Sequence, residues 1–186
     1  MVRNKNNLEL EIILTLLREK LHLREIARTL NESHSTILRK INELVKDNIL
    51  DYKREGRNKI FFIKDNLKAK NFIYSAEIYK LNKLLKKHPQ LSIIFEDIKK
   101  NFSNGMIILF GSYAKGIPKI DSDIDIYLET NDNKAKNKIK EINSKLSVKT
   151  GDFDTNALLI KEIIKNHIII KGLEEFYERV EFFKEA

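Results

Sequence analysis

Gly105-Met106-Ile107-Ile108-Leu109-Phe110-Gly111-Ser112-Tyr113-Ala114-Lys115-Gly116, followed shortly by Asp121-Ser122-Asp123-Ile124-Asp125-Ile126-Tyr127-Leu128, is the stretch of this 186-residue chain that decides its fold. Its first six residues are almost wholly apolar, the pattern of a short strand covered on both faces. The strand runs straight into Gly111-Ser112. In the second segment, strand alternation places Asp123 and Asp125 on one face, with Ile124, Ile126 and Leu128 on the other. Two carboxylates side by side repel each other. A divalent cation removes that repulsion, and hard oxygen ligands suit magnesium.

Other phosphate and metal motifs do not fit. A Walker loop needs Lys and Ser or Thr after its second glycine, but Ile117 and Pro118 follow Gly116. An EF-hand beginning at Asp121 needs glycine and glutamate where Ile126 and Asp132 stand. An isolated Asp-x-Asp is common and can be a solvated turn; its coupling to Gly-Ser at the end of a buried strand makes it specific. The four histidines are scattered and cysteine is absent, so no zinc constellation forms.

Gly111-Ser112, Gly116 and Ser122-Asp123-Ile124-Asp125 together resemble the signature of the polymerase-beta-like nucleotidyltransferases. The short length is most similar to their minimal branch, which includes antitoxins paired with HEPN-domain toxins. The resemblance covers roughly residues 90–186. It implies that Gly111, Ser112 and Ser122 bind a nucleoside triphosphate such as ATP, and that Asp123 and Asp125 hold two magnesium ions. It also implies a third carboxylate from a neighbouring strand. Thr150-Gly151-Asp152-Phe153-Asp154-Thr155-Asn156-Ala157-Leu158-Leu159-Ile160 is the expected strand, with Asp154 favoured over Asp152. Catalysis then falls to Asp123, Asp125 and Asp154. Lys115 or Lys119 could neutralise phosphate charge.

Outward from this core, the first third of the chain has a different plan. Leu8 to Leu17 gives an apolar helix. Leu23, Ile26, Ala27 and Leu30 mark a second, stopped at Asn31. A third starts at Ser33 or Ser35, buries Ile37, Ile41 and Leu44, and ends by Asn48. Ile49–Lys53 and Lys59–Ile63 read as a hairpin with Gly56 at its tip. The run from Leu23 through Ile63 resembles winged helix-turn-helix domains. On that reading Ser35, Thr36, Arg39 and Lys40 face double-stranded DNA from the third helix, and Lys53, Arg54, Arg57 and Lys59 face it from the wing. Residues 1–64 hold 14 Lys or Arg against 9 Asp or Glu, so the basic surplus concentrates there. Winged helices also serve as protein-docking modules.

A helix from Asp65 or Asn66 to about Lys87 connects the two parts, with Tyr74, Ile78, Leu81 and Leu85 as its apolar stripe and homodimerisation as one use for it. Gln90 to about Asn101 forms the next helix, with Leu91, Ile94, Phe95 and Ile98 inward. Closing helices are expected over Glu162–His167 and Leu173–Glu185, with Phe176, Tyr177, Val180 and Phe183 against the sheet. The expected domains are a winged helix over 1–64, a connecting helix over 65–88 and a minimal nucleotidyltransferase over 89–186, an α+β protein with a small mixed sheet.

The composition, 42% hydrophobic and 33% charged with net charge +8, suits a globular protein able to meet nucleic acid. The opening residues lack a signal-peptide core and the apolar runs are too short for a membrane span, so the expected location is cytoplasmic. The expected function is a magnesium-dependent transfer of a nucleoside monophosphate, AMP foremost, to a hydroxyl of a protein acceptor such as a HEPN-type toxin. Two alternatives remain: a transcriptional regulator that only senses nucleotide, or a transferase for a small hydroxylated molecule.

Overall fold

The computed structural model describes residues 7–182, which fold as two compact units, one through Tyr79 and one over Lys80–Phe182. The first unit begins with α1 (Leu8–Leu16), the short β1 (Leu21–His22), α2 (Leu23–Leu30) and α3 (His34–Lys46). A capping box starts α2: the Glu25 amide donates to His22 Nδ1 at 3.2 Å, and the Glu25 carboxylate accepts from the His22 amide. Asn31 ends it in the left-handed conformation, φ +50°, where asparagine is tolerated. Ser33 caps α3 by accepting from the Thr36 amide at 3.1 Å. Ile37, Ile41 and Leu44 bury the inner stripe of α3 in a core with Ile12, Ile13 and Ile26.

The hairpin β2 (Leu50–Glu55) and β3 (Asn58–Ile63) is longer than the sequence suggests, since Glu55 pairs with Asn58 and only Gly56-Arg57 form the turn. Gly56 sits at φ +59°, which a two-residue turn requires. β1 pairs with β3, giving the sheet order β1-β3-β2. Three helices and a β-hairpin wing make the winged-helix arrangement.

α4 (Leu67–Lys87) is capped by Asn66 Oδ1, which accepts from the Ala69 amide at 2.9 Å. Its buried side departs from the expected stripe. Ala69, Ile73, Ala76, Glu77 and Leu84 are buried, while Ile78 is 53% exposed. Small alanines let neighbouring elements approach closely, and a reading weighted toward large side chains overlooks them.

The second unit continues with α5 (Gln90–Asn101), β4 (Ile107–Leu109), α6 (Gly111–Lys115), β5 (Ile124–Glu129), α7 (Asn133–Lys140), β6 (Leu146–Gly151), α8 (Leu158–Lys165), β7 (Ile168–Lys171) and α9 (Leu173–Arg179). Its sheet has the order β6-β5-β4-β7. β4 is antiparallel to β5 and β7, whereas β5 and β6 are parallel. On one face Ile124, Ile126, Leu128, Leu146 and Val148 pack with Leu91, Phe95 and Ile98 of α5 and Ile139 of α7. On the other, Tyr127 meets Phe153, which stacks edge-on with Phe176 of α9. Tyr177 is buried too, Val180 is partly covered, and Phe183 lies outside the described residues.

The segment after β6 corrects the expectation for Thr150–Ile160. The strand is Leu146–Gly151, residues 152–157 are turn, and Leu158 opens α8. Asp152-Phe153-Asp154 imitates strand alternation because Phe153 alone turns inward. α8 thus starts before Glu162, and the apolar run at Ile168–Ile170, unassigned between the two expected helices, lies in β7.

Candidate active site

Local backbone geometry brings Gly111 and Asp125 together. The Phe110 amide donates to the Asp125 carbonyl at 2.9 Å, fixing the end of β4 against β5. The chain then turns at Gly111 with φ +68°. A Cβ there would lie 2.1 Å from Asp125 Oδ2, so only glycine fits. α6 closes at Gly116, where the Ile117 amide donates to the Ser112 carbonyl at 3.0 Å. The Gly-Ser turn is therefore held directly against a carboxylate.

Asp123 is exposed just before β5, and Asp125 is partly buried within it. Ser122 Oγ accepts from the Lys119 amide at 2.8 Å, so this hydroxyl shapes the loop entering the aspartates. Burial pushes the Asp125 carboxyl above its ordinary pKa; a hydrogen bond from Ser147 opposes the shift and the charge of Asp123 adds to it. Lys149 and Glu162 bear on the same carboxyl with smaller and opposite effects. Glu162, on α8, pairs with Lys115 of α6 at 2.8 Å.

Asp152 and Asp154 do not join Asp123 and Asp125. β6 runs parallel to β5 with Ser147 opposite Asp125 and Gly151 opposite Glu129, so Asp152 follows the far end of the pair. It accepts from Asn131 Nδ2 at 2.8 Å. Asp154 is exposed and caps the turn before α8, accepting from the Asn156 amide at 2.9 Å. Among the described residues, no three His, Asp or Glu side chains gather in a metal-binding group. The side chains that do come near Asp125, namely Ser147, Lys149 and Glu162, went unnoticed in the sequence. Leu146-Ser147-Val148-Lys149 alternates, but two apolar residues are a faint signal.

Residues 91–177 match the family model of the nucleotidyltransferase domain. This region is similar to nucleotidyltransferase domains. The expected Gly-Ser and Asp-x-Asp elements fall within the matched residues, at the start of α6 and at the entry to β5. Among solved structures, the adhesin competence repressor AdcR from Streptococcus pyogenes is similar at 20% identity and a TM-score of 0.36, over 54% of this chain and 71% of the repressor. No curated protein matches the chain. No helix among the described residues is long and apolar enough to cross a membrane.

In the first unit, Ser35, Leu38, Arg39, Asn42, Glu43 and Lys46 line a shallow concavity along α3. Thr36 Oγ1 lies 2.7 Å from Ser33 Oγ, within the helix cap. Lys40 is turned toward α1: its Nζ lies 2.7 Å from both Glu9 and Glu43, and these bonds raise its pKa. On the wing, Lys53 pairs with Glu55 at 2.7 Å and Lys59 lies over the Tyr52 ring at 3.7 Å. Arg39, Arg54 and Arg57 are exposed.

Proposed function

We propose that this chain is a DNA-binding nucleotidyltransferase that moves a nucleoside monophosphate, AMP foremost, from its triphosphate to a hydroxyl of a protein acceptor. The closure of Gly111-Ser112 onto Asp125, beside Asp123, carries the reading. The donor set fits magnesium: two hard carboxylates adjoin, and Asp125 is disfavoured as an anion by burial and by its neighbour's charge. Asp123 and Asp125 would hold the ion, which when bound supplies positive charge against the triphosphate and lowers the pKa of the attacking hydroxyl.

The chain's own residues supply the rest. Gly111 lets backbone amides approach a phosphate without a side chain between them. Ser112 offers a hydroxyl from the same turn. Ser147, opposite Asp125 on β6, favours the charged form of its carboxylate. In the reaction the acceptor oxygen bonds to the α-phosphorus, the bond to the β-phosphate oxygen breaks, pyrophosphate leaves, and the hydroxyl proton is released.

Arg39 on α3 with Arg54 and Arg57 on the wing form the DNA-facing set, as exposed guanidinium groups suited to phosphate and base-edge contact. Lys40 is better placed to tie α1 to α3. A HEPN-type toxin as acceptor, and a homodimer using the exposed Ile78 side of α4, belong to the same reading.

The test is magnesium-dependent transfer from α-labelled ATP by the full chain, with and without co-purifying partners. The wild type should label a protein, and the Asp123→Ala, Asp125→Ala double variant should lose at least about 10³-fold of that rate. Label on a small hydroxylated molecule would replace the protein acceptor. Nucleotide binding with no transfer to any acceptor would replace the enzyme with a nucleotide-sensing regulator.

A further inference from the structure

The strand beside Asp125 carries a cation. Parallel pairing sets Ser147 opposite Asp125 and Lys149 opposite Tyr127. Residues two apart on a strand share a face, and Leu146 and Val148 occupy the opposite face in the core. Strand spacing and rise put the Lys149 Cα about 8 Å from that of Asp125, within reach of an extended lysine. Ser147 lies beside the Asp125 carboxylate, and Lys115 is already paired with Glu162. Lys149 is exposed on the edge strand, close enough for its charge to act on the Asp125 carboxylate.

We infer that Lys149 binds the phosphates of the nucleotide, so that β6 contributes a cation to the site rather than a third carboxylate. This rests on the nucleotidyltransferase reading and extends it to a substrate-contacting residue. A lysine in this position has opposite effects on the two ligands. It repels a bare divalent cation approaching Asp123 and Asp125, and it attracts the negatively charged triphosphate as a point charge. A purely structural lysine would not separate them in this way.

The experiment uses the full chain and two titrations that need no turnover. One follows Mn²⁺ alone by its paramagnetic signal; the other follows α,β-methylene ATP in the presence of Mn²⁺ by calorimetry. Lys149→Ala should bind Mn²⁺ alone on the order of threefold more tightly and the nucleotide at least about tenfold more weakly. Lys149→Arg should recover most of the nucleotide affinity. Thermal melting verifies folding of each variant. Wild-type nucleotide binding that survives Lys149→Ala overturns the role of Lys149 alone. Absence of nucleotide binding by the wild type overturns both this inference and the reading beneath it.

Discussion

Strands β5 and β6 lie side by side in parallel register, yet they bring opposite charges to one face of the sheet. β5 is an inner strand, paired on both sides, and its Ile124, Ile126 and Leu128 are essentially buried. Its other face presents Asp125, with Asp123 just before the strand. β6 is an edge strand whose covered face is only Leu146 and Val148, and it presents Ser147 and Lys149. Double pairing fixes the register of an inner strand, which suits carboxylates that must keep a set separation. An edge leaves a long charged side chain in water, where holding it costs little.

The largest disturbance of this division should come from Gly111→Ala. The new Cβ would fall on Asp125 Oδ2, and the positive φ is strained for alanine by about 1 kcal/mol. Displacing the carboxylate by about an ångström should cost on the order of 10² in transfer rate, while the domain still melts cooperatively. An unchanged rate from α-labelled ATP would mean that the Gly-Ser turn does not position Asp125.

A smaller effect separates burial of the inner-strand carboxylate from its proposed catalytic use. The Asp125 pKa is raised in the folded state, so more protons are bound folded than unfolded between its ordinary and raised values. Asp125 therefore favours the cation-free fold at low pH and opposes it as pH rises through that window. Asp125→Asn should raise the melting temperature at pH 7 without added cation, and should lessen the fall in stability between acid and neutral pH. Equal melting temperatures for both proteins at every pH would contradict the penalty assigned to the buried carboxylate.

The smallest effect is expected beyond the end of β6. Asp154→Asn keeps an oxygen acceptor for the Asn156 amide, so stability should change by less than about 0.5 kcal/mol. Transfer should change by less than about twofold, well below the effect of any charge at the reacting atoms. A hundredfold loss would instead place Asp154 in the site and shift the third group from β6 to the turn before α8.

These contrasts also explain what could be read in advance. β4 and β5 are flanked by other strands, so their apolar positions are dense and their alternation is clear. The edge strands β6 and β7 have weaker signals: β6 has two core residues, and β7 is only four residues long. Gly111-Ser112 and Asp123-Ile124-Asp125 stood out because the sheet's centre and the proposed chemistry share those residues. Asp152-Phe153-Asp154 misled because a turn with one inward phenylalanine has the same pattern as a strand. In the first unit, the caps at His22, Ser33 and Asn31 are local, but the tie from Lys40 to Glu9 spans 31 residues and needs the packed helices.

By itself the sequence determined the helices and hairpin of the first unit, the two inner strands of the second, and the glycine, serine and paired aspartates between them. Each depends on interactions within a few residues: caps, turn conformations and alternation along one strand. Tertiary structure alone decided which side of α4 is buried, where β6 begins, and which side chains surround Asp125. Ser147 lies 22 positions from Asp125, Lys149 lies 24 and Glu162 lies 37. Their meeting is set by strand register and by the return of α8, and neither leaves a pattern in neighbouring residues.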